Sequence, residues 1–415
     1  NMIENLDVNG GTNIITGNTT INGNGGIGTE NYDRFYVGDG DAVANCNGTL
    51  IIQPGATLTV AGTFNDAAVV GRDSGSGTVI QNGGTFTFSP ANNQLFLVGA
   101  SGTSAATRAE YHMNGGLFDM QNFKLGVGLG VNGYAITGAV YQVSGVITNV
   151  GDLDLGTLTP NGYGEYDLTG GSIYIGSGGI TTYDNKYAVN LGGGTVAAQA
   201  NSSSSLNMNL TGINGPVSFD TGANTITLSG ILSGSGGLTK TGSGTLEFAV
   251  ANTYPAATMV NAGTLQLDSA GTSSSAIHLA NGAMLNLNYT GNRVVPGLFT
   301  NGVALSIGTY NASNLGGFIS GSGELQVASS ISTGLWTGLG ANNNWSTAGN
   351  WDQNAVPVFP IGLTFAGSTQ LVNNNDLSGI TASSIMFDSA AGAFVLGGND
   401  IALSGDIGFN GNPAS

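Results

Sequence analysis

Glycine pairs recur along the first half of the chain at a spacing that few folds can use. The segments TVIQNGGTFTF (78–88), EYHMNGGLFDM (110–120), VYQVSGVITNV (140–150) and EYDLTGGSIYI (165–175) each set two short strand-like runs around Gly-Gly or Ser-Gly. Val70-Gly71, Val98-Gly99, Val127-Gly128 and Leu155-Gly156 precede the four copies. The second glycine falls at Gly84, Gly116, Gly145 and Gly171, so the period is 32, 29 and 26 residues. A period of this size that varies in length fits a solenoid with one turn per repeat and the variation held in one loop. Thr78–Gln81 and Thr85–Phe88 alternate apolar and polar residues, as strands with one buried face do. The glycine pair then marks a corner that needs positive φ or a close approach to the next turn. Asn82 and Asn114 precede that corner and are expected to form a side-chain ladder. Phe86, Phe88, Phe118 and Ile173 follow it at alternating positions and are expected in the bore or at a sheet interface.

The rest of the composition agrees with strands. Charged residues are only 7% of the 415, and there are 72 glycines. The hydrophobic fraction of 40% separates the chain from disordered Gly-rich sequences, which lack the apolar surface to offset ordering entropy. No window carries a 3.6-residue apolar stripe, and Gly, Thr, Asn, Ser and Val suit strands and turns. The expected fold class is therefore all-β: a right-handed parallel β-helix over roughly residues 12–270, with a C-terminal strand-rich module. The net charge of −17 reflects scarce Lys and Arg, which excludes the basic clusters that nucleic acid requires. Cys46 is the only cysteine, so no internal disulfide can form. No apolar run reaches the length of a membrane helix. Residue 1 is Asn, so a processed or partial chain is expected.

From Ser233 the sequence resembles the autotransporter-associated β-strand repeat. Gly234, Gly236 or Gly237, Leu238, Lys240, Gly242, Gly244, Thr245 and Leu246 match that family's pattern. Asn252-Thr253-Tyr254 follows, and Val260, Gly263, Thr264, Leu265 and Leu267 close it. Pro255-Ala256 departs from the Thr-Gly that members usually carry there. Residues 276–327 look like the segment that often follows such repeats. Residues 335–403 look like a tryptophan-bearing module of large secreted bacterial proteins. The resemblance implies a secreted or surface β-helix and no reaction, because its motif is built from structural residues. The resulting expectation divides the chain into an N-terminal arm (1–11), a shaft (12–232), the repeat region (233–330) and the tryptophan module (331–415).

Chemical constellations are sparse. His112 and His278 lie far apart in strand-like contexts, and the signatures of β-helix pectin hydrolases are missing, so no catalytic residue is assigned. Asp152 and Asp154 share one strand face and read as a solvated face or a cation contact. Asp39 and Asp41 offer two carboxylates in a tight loop, a candidate calcium site. Trp336, Trp345 and Trp351 fall within sixteen residues; they either stack on sugars or form a small core. Ile3, Leu6 and Val8 belong to a strand-like segment that is expected to complete a neighbouring copy's sheet. Together these point to an extracellular structural protein, a filament subunit or adhesin stalk, whose partners are copies of itself. Two alternatives stay open: a glycan-binding adhesin using the tryptophans, and a polysaccharide-degrading enzyme.

Overall fold

The computed structural model describes all residues except 1, 4, 25–34, 41–44, 65–66, 93–94, 101–106, 130–135, 157–161, 185, 273, 328–333, 390 and 411–415. Two compact units divide the chain, Asn1–Val250 and Ala251–Ser415. No α-helix occurs among the described residues.

The first unit is a stack of coils. One ladder of parallel strands runs from Gly10–Ile15 through Asn47–Ile52, Thr137–Gln142, Tyr163–Leu168 and Tyr187–Leu191 to Leu232–Gly234. A second starts at Met2–Ile3, passes through Asn18–Asn24 and Thr57–Thr63, and ends at Leu238–Thr241. A third joins Leu6–Val8, Phe35–Asp39, Ala68–Arg72 and Leu95–Val98 to the later coils. Every strand pair described in this unit is parallel. Arg108–Val127 contributes to all three ladders in one 20-residue strand. It turns at Gly116 (φ 82°) and again at Gln121 and Asn122 (φ 51° and 66°).

The corner glycines behave as their spacing predicts. Gly84, Gly116, Gly145 and Gly171 have φ of 68°, 82°, 74° and 74°, the left-handed region that glycine enters freely. They also stack on one another: a Cβ at Gly116 would lie 2.3 Å from the Gly84 carbonyl oxygen, and one at Gly171 2.3 Å from that of Gly145. Asn114 Nδ2 donates to Asn82 Oδ1 at 3.0 Å, the expected ladder.

Coils shorten along the unit. Ala109 pairs with Gly77, 32 residues back, Tyr163 with Thr137, 26 back, and Thr245 with Thr225, 20 back. Much of the early loss comes from one connection. It runs nine residues from Val127 to Thr137, seven from Leu155 to Tyr163 and four from Thr182 to Tyr187.

The bore is aromatic where the coils are long. Phe86, Phe88 and Phe118 are buried, as is Ile173. Phe86 and Phe118 stack at 4.5 Å, and Phe96 meets both edge-on. Buried polar groups are paired across coils: Tyr111 Oη donates to Gln81 Oε1 (2.6 Å), and Gln81 Nε2 to the Leu117 carbonyl (2.9 Å). Tyr166 and Gln142 repeat the arrangement further on.

The N-terminal residues are part of this stack rather than a detached arm. Met2–Ile3 pairs with Thr20–Ile21, and Leu6–Val8 with Phe35–Val37. Leu6 is half-buried and Val8 is buried, because inward residues of a coil face the bore; the Ile3 side chain lies outside what is described.

In the second unit, Thr258–Val260, Ile277–Leu279 and Leu298–Thr300 form a parallel ladder, as do Thr264–Leu267, Met284–Leu287 and Ile319–Gly321. Among the described residues antiparallel pairing enters in this unit, between Leu298–Thr300 and Val303–Ala304, between Gly308–Tyr310 and Glu324–Val327, and at a Trp336–Trp351 bridge. Leu335–Trp336, Ile361–Phe365 and Thr381–Asp388 then make a parallel sheet whose apolar core includes the three tryptophans and Phe299.

Candidate functional site

The first ladder carries a polar column on its outer face. Alternation in Arg108–Val127 turns Tyr111 and Met113 inward, which leaves Arg108, Glu110 and His112 outside. Register then aligns His112, Tyr141, Asp167, Asn190, Asn209 and Ser233, one per coil. Beside it, Glu110, Ala139, Glu165 and Ala188 align in the same way.

Neighbours on this face are tied together. Arg108 donates to Glu110 and to the Tyr141 hydroxyl. His112 Nε2 lies 2.8 Å from Glu110 Oε2, and its ring leans on Tyr141 at 5.1 Å. Asn190 Nδ2 donates to Asp167 Oδ1 (2.7 Å), and Asn209 Nδ2 to Asn190 Oδ1 (3.0 Å). Burial raises the Glu110 carboxyl, but its bonds to Arg108 and His112 outweigh that and hold it below the usual value. Burial, with Asp167 beside it, pushes Glu165 up, and burial also raises Asp167 against the Asn190 bond.

Two carboxyls pushed apart in this way are what acid–base chemistry uses. The interval between them, however, is filled. Ala139 stands between Glu110 and Glu165 on the ladder and is 0% exposed, so side chains close over it. A glycosidic bond and its attacking water need open space between the two groups. The column is better suited to hydrogen bonding and ring contact. Further along, Tyr187, Ala188, Asn190, Asn207, Asn209 and Ser233 line a cleft of about 520 Å³. The backbone N–H of Asn207 donates to Tyr187 Oη at 2.9 Å.

Sequence reasoning missed this face. The signal was present: Glu110 and Glu165 stand six residues before their corner glycines in two of the repeats.

The residues singled out from sequence fall elsewhere. Trp336, Trp345 and Trp351 are 0%, 0% and 1% exposed and meet edge-to-face at 5.0 and 5.6 Å. Trp345 Nε1 donates to Asn373 Oδ1 and Trp351 Nε1 to the Trp345 carbonyl. The rings thus take the core alternative and present no face to a sugar. Asp39 is buried, and Asp41 lies outside the described residues. Among the described residues no three of His, Cys, Asp and Glu gather as a metal set. Asp152 and Asp154 hold Lys124, the former at 2.9 Å, so a cation of the chain itself occupies that face. Burial works against the Lys124 charge, but the two aspartates outweigh it and hold the ammonium above its ordinary value.

Lys240, the charge of the resemblance motif, is fully buried. It donates to Thr221 Oγ1 (2.8 Å) and to the carbonyls of Thr241 (2.6 Å) and Gly242 (2.8 Å), fastening the corner after its own strand. Burial pushes it down to about 8, against the pull of Asp220. Leu238, Leu246, Leu265 and Leu267 of the same motif are buried. The family model of the passenger-associated-transport-repeat matches residues 238–267. The match supports an autotransporter-associated repeat in this segment. Within it Lys240 fastens a corner and the leucines are buried.

Two curated proteins are similar to longer stretches. An adhesin autotransporter, BmaC of Brucella suis biovar 1 (strain 1330), is 31% identical over 212 residues, covering 46% of this chain and 6% of its own length. Long tail fiber protein Gp37 of Escherichia phage AR1 is 30% identical over 151 residues, covering 36% of this chain and 13% of its own. The chain thus spans a small part of either relative. No solved structure matches. No helix among the described residues is long and apolar enough to cross a membrane.

Proposed function

We propose that this chain is a length of shaft from an extracellular surface protein, an adhesin stalk or fibre, and that it is not an enzyme. The observation that carries the reading is the run of parallel ladders from Met2 to Thr241. In it the glycines turn corners, the aromatics fill the bore, and even the charged Lys124 and Lys240 are spent on holding coils together. The passenger-associated-transport-repeat and the adhesin and tail-fibre relatives support the same reading. Its finer form is that copies associate through coil edges, since a coil edge presents unpaired N–H and C=O groups.

Antibodies to this chain on intact, unpermeabilised source cells test the reading. Surface labelling that protease shaving removes is the expected result; confinement to the cytoplasmic fraction would overturn it. Electron microscopy of native material tests the finer form, with end-joined rods expected and isolated rods against it.

A further inference from the structure

The cleft beyond the acidic part of the outer column has a chemistry of its own. Its lining includes Tyr187, Asn190, Asn207, Asn209 and Ser233, drawn from three successive coils. We propose that it binds an uncharged glycan: a chain of neutral pyranoses lying along the stack, one sugar over each coil.

Three observations carry this. The first is the lining itself. The Tyr187 hydroxyl is held by the Asn207 N–H, which fixes the ring as a wall, and a fixed aromatic ring offers a flat apolar face to a sugar's C–H side. Asn209 donates to Asn190, and Asn207 Oδ1 accepts from the Ile231 N–H at 2.8 Å. Both amides keep donors and acceptors for vicinal hydroxyls, and both residues are exposed.

The second is spacing. Asn190, Asn209 and Ser233 are consecutive rungs, about 4.8 Å apart in a parallel sheet, close to the residue repeat of an extended pyranose chain. The third is charge. No Lys or Arg lines the cleft, and Asp167, bonded to Asn190, stands at one end, so an anionic polysaccharide meets repulsion. A peptide adding as a strand is excluded as well, because Tyr187–Leu191 and Met208–Leu210 are each already paired within the ladder.

The inference goes beyond the shaft reading and does not rest on it, since binding is read on purified protein wherever the natural chain resides. The test is titration of the whole chain with cellohexaose, laminarihexaose, mannohexaose and N-acetylchitohexaose, with hexagalacturonate as the anionic probe. Saturable binding of at least one neutral hexasaccharide is expected, with none to hexagalacturonate. Tyr187→Ala should weaken it about tenfold, the size of a lost aromatic contact, while Tyr187→Phe, which keeps the ring but loses the bond that fixes it, should weaken it less. Asn209→Trp should abolish binding by filling the cleft from an exposed position, which leaves the coil core intact. Binding of none of the neutral probes would overturn the proposal. So would a preference for hexagalacturonate, or binding that survives Asn209→Trp in folded protein.

Discussion

Gly116 has no room for a side chain and no need of one. Its φ of 82° lies in the left-handed region, and the Gly84 carbonyl sits where its Cβ would go. Gly55 shares the conformation (φ 81°) but faces open space. Alanine at either pays ~1–2 kcal/mol for the left-handed backbone, so Gly55→Ala should lose about that much. Gly116→Ala should lose clearly more, because the stacked corner must also move. Urea unfolding of the two variants measures the difference; equal losses would mean that the corner relaxes freely. Glycines of this kind are the most readable part of the sequence, since positive φ is a local demand that only a few residue types meet. The Asn82–Asn114 bond was readable for the same reason, as both stand beside that corner. Trp345 was less so: its indole partner, Asn373, is 28 residues away and nothing local announces it.

The strand Ile277–Leu279 shows how a position on one element becomes sensitive to pH. His278 stacks on Phe299 of the next strand at 3.9 Å, and its Nε2 has no hydrogen-bond partner. Burial pushes its pKa down to about 4. Above pH 6.5 the ring is neutral whether folded or not. Below that the unfolded chain gains a proton that the folded chain refuses, so stability falls as pH drops from 6.5 towards 4. Between pH 7 and pH 5 this contributes a loss of about 2 kcal/mol. His278→Phe should remove that part of the acid sensitivity, read from thermal unfolding of both proteins at the two pH values. An identical acid response in the variant would locate the effect in other groups. At this scale the strands themselves were legible from alternation, whereas the outer column was not. Its rungs come from coils whose length falls, so Asn190 and Asn209 stand 19 residues apart while His112 and Tyr141 stand 29 apart. A repeat search tuned to one period loses them where the coils shorten beyond Lys186.

In the first unit the strands pair with the coils directly before and after them, so the consequences of a core change should stay close to it. Phe118 tests this. Its ring stacks on Phe86 at 4.5 Å and Tyr111 at 5.2 Å, and its strand pairs with Phe86 on one side and Ile147 on the other. Phe118→Ala removes a fully buried ring, at a cost of about 3–5 kcal/mol. The bore around it is close-packed by Phe96 as well, which leaves little scope for collapse and favours the upper part of that range. The loss should be felt by the strands that touch the gap: Ser76–Pro90, Leu95–Val98, Arg108–Val127 and Val146–Leu155. Strand Val217–Asp220 pairs with Leu238–Thr241 on one side and with Thr195–Ala198 on the other, and none of the three meets Phe118. Native-state hydrogen exchange should therefore show lowered protection in the four strands near the cavity and unchanged protection in 217–241. If protection fell equally throughout, the unit would be opening as a single block and the nearest-neighbour account of its stability would be wrong. If it fell only locally, each coil would be an independent support for its neighbours. Nearest-neighbour stacking of that kind would let coils be lost or gained without loss of the fold, the outer column lengthening or shortening one rung at a time.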